Sequence, residues 1–176
     1  MAKGRFQIID DLNVPKEVKS INYFGPDPFR IYSRIPPLLQ IIFQVRGTHI
    51  NEEDFRWDLF KDSDTMNFYF RIRLERALDR FTTPVLTIRV FGHQPKDPAS
   101  PNGRMLIEVL GTMRTTYPVD NDPISRAFFV PFLWMYHYAL YNNVRRKYLQ
   151  MYAARIERFM NELRSILGIM QKPRLT

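Results

Sequence analysis

FLWMYHYALYNNVRRKYLQMYAARIERFMNELRSIL, residues 132–167, contains neither proline nor glycine. Apolar and aromatic side chains recur every three or four positions along it, at Trp134, Tyr138, Tyr141, Leu149, Tyr152, Ile156, Phe159, Leu163 and Ile166, with Arg145 in phase. That period marks one face of an α-helix. It predicts a single helix of roughly 35 residues, about 50 Å long at 1.5 Å per residue. Gly168 ends it. A helix with one apolar stripe needs a surface to lie on.

The preceding sequence supplies that surface. MNFYFRIRLERAL, residues 66–78, alternates: Phe68, Phe70, Ile72 and Leu74 point one way, and Tyr69, Arg71, Arg73 and Glu75 the other. Period two with one charged face describes a half-buried strand. TPVLTIRVFGH (83–93) and RMLIEVLGTMRTTYP (104–118) read as two more, the latter with Met105, Ile107, Val109 and Met113 on one face. QPKDPASPNG joins them as a proline-rich connection with an Asn-Gly turn signal. HINEEDFRWDLFKDSD (49–64) reads as a strand after an acidic turn, and residues 48–66 have room for two. RFQIIDDLNVP (5–15) is a short strand ended by Pro15, followed by a polar turn, NYFGPDP. Four or five strands with short loops imply an antiparallel sheet.

Between the first strand and the others lies DPFRIYSRIPPLLQIIFQV, residues 27–45. Asp27 is placed as an N-cap and Pro28 at the first helical position. Pro36 and Pro37 remove donors and crowd the preceding turn, which predicts two short helices meeting there, the second stopped by Gly47. VDNDPISRAFFV starts a further helix, with Asp122 as cap and a kink or restart at Pro131.

The fold expected is therefore α+β. A curved antiparallel sheet packs around one long C-terminal helix, with two short helices near the N-terminus, in one domain over residues 1–176. This element order, carried by DPFRIYSRIPPLLQIIF, FYFRIRLERAL and ARIERFMNELRSIL, resembles the helix-grip fold of the START-like, polyketide-cyclase-like superfamily. The resemblance covers nearly the whole chain and rests on order rather than on a motif. It implies an apolar cavity between sheet and helix for a lipid-like or aromatic small molecule. Some members of the superfamily are enzymes, so the fold leaves activity open.

Composition narrows the chemistry. There is no cysteine, which excludes disulfides, thiolate nucleophiles and zinc–thiolate sites. His49, His93 and His137 share no ligand spacing, so no metal site is expected, and no glycine-rich phosphate loop or other cofactor signature is present. The N-terminus has no apolar core of a signal peptide, and a cytoplasmic location is the expectation. Net charge is +8, and residues 120–176 hold nine basic against four acidic side chains. Such a field suits nucleic acid or an anionic membrane.

The candidate site residues are Trp134, Tyr138, Tyr141, Arg145 and Glu108. Arg145 lies in phase with the apolar stripe, so it requires a partner: a ligand carboxylate or phosphate, a protein carboxylate such as Glu108, or water reached by snorkelling. Glu108 is either a ligand contact or a solvent-side group beside Arg89 or Arg104. AFFVPFLWMYHYALYNNV, residues 127–144, is eighteen residues without a formal charge. Pro131, His137, Asn142 and Asn143 argue against a membrane span, and Arg126 and Arg145 flank it evenly. Its aromatics exceed one narrow stripe, which implies cover on a second face by a ligand, a partner or a membrane surface. Three functions are thus open. The first is hydrophobic small-molecule binding without catalysis. The second is interaction with nucleic acid or an anionic membrane through the basic C-terminal half. The third is homodimerisation through the aromatic helix surface.

Overall fold

The computed structural model describes residues 4–58, 65–97, 99–119 and 122–169, with only the backbone for 123–126. Six strands form one curved, unclosed antiparallel sheet: β1 (Gly4–Asp11), β2 (Val18–Phe24), β3 (Ile50–Asp58), β4 (Thr65–Glu75), β5 (Thr82–Pro95) and β6 (Arg104–Val119). The path across it is β1-β6-β5-β4-β3, with β2 also on β6. The helices are α1 (Ile31–Phe43), α2 (Pro123–Met135) and α3 (Asn142–Ile166).

β6 is the spine. One edge pairs with β5, from Thr82↔Thr115 to His93↔Arg104. Its other edge takes β1 from Gly4↔Val119 to Asp11↔Thr112, and then β2 from Val18↔Leu110 to Phe24↔Arg104. β1 and β2 are thus two lengths of one edge strand, parted by a loop whose Asn13 is buried and donates to the carbonyls of Glu17 and Val109, 2.9 Å each. The expected polar turn NYFGPDP in fact begins inside β2. Only Ile21 and Tyr23 of that strand point into the core, too few for period two to stand out.

α1 and α3 lie on the sheet face that carries Phe68, Phe70, Ile72, Leu74, Ile107 and Val109. From α3, Tyr152, Ile156, Phe159, Met160 and Leu163 enter this core. Gly111 sets the crossing: a Cβ there would stand 2.8 Å from Ile156 Cδ1 and 3.1 Å from Leu12 Cβ. Arg155 of α3 donates to Phe43 O and Gln44 Oε1, 3.0 Å each, so a cation closes the C-terminus of α1.

Two helix boundaries differ from expectation. Near the N-terminus a 3-10 turn, Pro28–Arg30, leads into α1, so the two short helical segments divide at Arg30, and α1 runs unbroken through Pro36 and Pro37. The carbonyls left without helical donors are those of Tyr32 and Ser33, on the wetter side of the helix, where the lost bonds cost least. Asp27 does precede Pro28, but in the left-handed region (φ 45°) and without a side-chain cap, and Gln44 (φ 56°), not Gly47, closes α1. The long C-terminal helix is 25 residues rather than roughly 35. The interruption is a π-turn at Tyr136–Leu140, not Pro131, which sits within α2. A π-turn adds a residue without breaking the apolar pattern, which is why the periodicity ran through it. Gly168 (φ 69°) follows the end of α3 as expected.

Candidate functional site

Among its described side chains, α2 touches the body through few residues. Val130 and Leu133 are half-buried, and His137 in the π-turn is fully so. Trp134 meets Phe6 of β1 edge-on at 5.7 Å and stacks on Tyr138 at 5.2 Å. Among the described side chains, Phe128 (77% exposed), Phe129, Phe132, Trp134 and Met135 are exposed, followed by Tyr138, Leu140 (70%) and Val144. At 3.6 residues per turn these α2 positions sweep an arc of roughly 220°, with Trp134 at one edge also touching Phe6 and the Val130–Leu133 side turned to the sheet. Exposed Arg146 and Lys147 follow immediately.

The junction behind this helix is polar and closed. Arg145 grips Asp10 of β1 with two nitrogens, Nε donating to Oδ2 at 2.8 Å and Nη2 to Oδ1, and lies 5.4 Å from the Tyr138 ring. The Tyr141 hydroxyl donates to Asp79 Oδ2 at 2.7 Å and is 2.5 Å from Thr82 Oγ1. Asp79 Oδ1 accepts the backbone N–H groups of Phe81 and Thr82, 2.8 Å each. Tyr117 Oη is 3.0 Å from His137 Nδ1, while His137 Nε2 is buried without a partner.

The environment shifts these groups in consistent directions. Burial, then the Arg145 charge, pushes the His137 imidazole below its ordinary value, with Asp10 opposing. Burial raises Tyr117 to about 12. Burial, then Asp79, raises Tyr141, partly offset by the hydrogen bond to Thr82. Burial acts upward on Asp79 as well, but its hydrogen bonds from Tyr141, Phe81, Thr82 and Tyr148 prevail and hold the carboxyl low. Beside the Arg145–Asp10 ion pair, the junction therefore holds the Asp79 carboxylate ionised, one neutral imidazole and un-ionised phenols. It pins the π-turn to β1, β6 and the turn before β5.

Four of the five expected site residues meet here. Trp134 and Tyr138 border the exposed surface, while Tyr141 and Arg145 are engaged by protein partners. Arg145 takes a protein carboxylate, that of Asp10 rather than Glu108. Glu108 is elsewhere: half-buried on the sheet face turned away from the helices, in register with Arg89 and Ser20. Asp10, Asp79, Thr82, Tyr117 and His137 are the participants that no local spacing flagged, because their partners are 20 to 135 residues away. His49, His93 and His137 do not gather, and no group of three or more metal-binding side chains occurs among the described residues.

No protein-family model matches the chain, and no curated protein matches it in sequence. No helix among the described residues is long and apolar enough to cross a membrane. The space between the sheet and α3 holds the side chains of Phe43, Phe70, Tyr152, Ile156 and Phe159, all fully buried.

Proposed function

We propose that this protein docks on an anionic membrane surface, with α2 lying in the interface. The observation that carries the reading is the roughly 220° apolar arc of α2. A protein groove covers one side of a helix. A bilayer interface covers a broad arc at once, and a helix that is apolar nearly all round is a buried helix. Trp134 and Tyr138 have the amphipathic rings that favour the headgroup level. Arg146 and Lys147, with the excess of basic groups in residues 120–176, add attraction to anionic lipid. The helix-grip resemblance implies another occupant, a hydrophobic small molecule between sheet and helix. That reading draws on layer order alone, whereas the longest run of exposed large apolar side chains begins on α2.

The test is flotation of the full chain with vesicles of phosphatidylcholine, with and without phosphatidylserine. Binding to the anionic vesicles that weakens with salt supports the proposal. Absence from both vesicle fractions, or a mass in solution that doubles with concentration while vesicle binding is lost, overturns it and gives the arc to a second copy of the chain.

A further inference from the structure

The sheet face turned away from α1 and α3 carries an ordered pattern of its own. Register places Arg56, Tyr69, Phe91, Leu106 and Asn22 in one row across β3, β4, β5, β6 and β2. On one side runs the row Asp58, Asn67, His93, Arg104, Phe24, and on the other Asp54, Arg71, Arg89, Glu108, Ser20. Tyr69 and Phe91 thus lie at the centre, between Asn67, His93 and Arg104 on one side and Arg71 and Arg89 on the other, the latter row also carrying Asp54 and Glu108. Phe91 (41% exposed) rests on Tyr69 with ring centroids 4.9 Å apart, and Phe24 (72% exposed) has the Arg104 guanidinium 5.9 Å from its ring.

A recess of about 260 Å³ opens beside Phe91, walled by Asn22, Phe24, His93, Arg104 and Leu106, with no carboxylate in its lining. Across Phe91 a larger one, about 560 Å³, includes Asp54 and Asp58. Charge separates the two sides. Toward β3 the arginines are engaged, Arg71 by Glu53 at 3.0 Å and Arg56 by Asp54 at 3.0 Å. Toward β2, Arg89 and Arg104 stand in no ion pair among the described residues, although Glu108 is the cross-strand neighbour of Arg89. Phe91 and Phe24 are roughly 12 Å apart, from the spacing of neighbouring strands and the rise along them.

We propose that this face binds a short stretch of single-stranded nucleic acid over β5, β6 and β2. Bases stack on Phe91 and Phe24, and phosphates meet Arg89 and Arg104. Exposed rings on an antiparallel sheet accept any base face, and unpaired guanidinium groups beside them accept phosphate. The surface is separate from α2, so this site and the membrane contact succeed or fail independently.

Fluorescence anisotropy of labelled oligouridine and oligothymidine with the full chain tests it. The pair Phe91→Ala and Phe24→Ala lowers affinity by roughly tenfold or more, because each base loses its ring. The pair Arg89→Gln and Arg104→Gln lowers the salt dependence by about 1.4, two contacts at about 0.7 each for a single strand. These side chains are exposed or at the surface, so an unchanged melting temperature certifies the fold, and vesicle binding is retained. The control pair Arg146→Gln and Lys147→Gln leaves oligonucleotide binding as it was. Loss confined to that control pair, or no binding by the parent chain at low salt, overturns the proposal.

Discussion

Replacing Phe128 and Phe132 of α2 by glutamine tests the membrane reading most directly. The two rings are 77% and 54% exposed, so neither supports the core. A phenylalanine has about 200 Å² to bury, which puts roughly 260 Å² of the pair in water. At about 25 cal/mol per Å², full immersion of that surface yields ~6 kcal/mol. A helix lying in the interface plane sinks part of its surface, and half immersion leaves ~3 kcal/mol. At 1.4 kcal/mol per tenfold, the double variant partitions onto phosphatidylserine vesicles roughly 150-fold less well. Glutamine keeps helix propensity, and the fold loses no more than about 0.5 kcal/mol. Sedimentation with increasing lipid measures the partition coefficient, and thermal denaturation the stability. A double variant that partitions like the parent chain refutes the argument, and so does a matching loss on a Phe55→Gln control, whose ring is 42% exposed on β3.

Three other outcomes follow from the junction and the core. Asp10→Asn leaves Arg145 largely buried without its carboxylate and costs about 2–4 kcal/mol in urea denaturation, while adding Arg145→Gln recovers part of it. His137 is held below its unfolded value of 6.5, so the unfolded chain binds the proton first. Its contribution to stability is complete above pH 6.5 and is lost as pH falls toward the lowered folded value; the His137→Asn variant lacks that slope in melts between pH 7.5 and 5. Gly111→Ala drives a methyl group against Ile156 and costs about 1–3 kcal/mol, and Ile156→Val, which removes the nearest atom, relieves it in a double-mutant comparison.

The strands legible in sequence were those whose two faces differ most. β4 sets Phe68, Phe70, Ile72 and Leu74 against Tyr69, Arg71, Arg73 and Glu75, and the structure keeps that division. β2 offers two inward residues, and its identity as a strand depends on β6, more than eighty positions later. The prolines of α1 mislead for a related reason: their cost depends on which side of the helix the freed carbonyls face, and that is settled by tertiary packing. At the junction, the phase of Arg145 correctly signalled an interior charge. Its partner could not be read, because Asp10 lies 135 residues away and the choice between it and Glu108 turns on which sheet face each occupies. The uncharged stretch told of a surface needing cover; the π-turn that separates α2 from α3 left no mark, since it preserves the apolar rhythm.

The arrangement of β1 and β2 along one edge of β6 also governs when the molecule can assemble. Among the described residues, both strands find their only sheet neighbour in residues 104–119, so during synthesis they emerge with apolar faces and no ladder to join. The β3–β4–β5 meander and α1 can associate earlier, through shorter loops. Closure of the N-terminal edge is therefore a late, long-range event, and the unpaired strands are the part of the nascent chain most open to intermolecular pairing before it occurs.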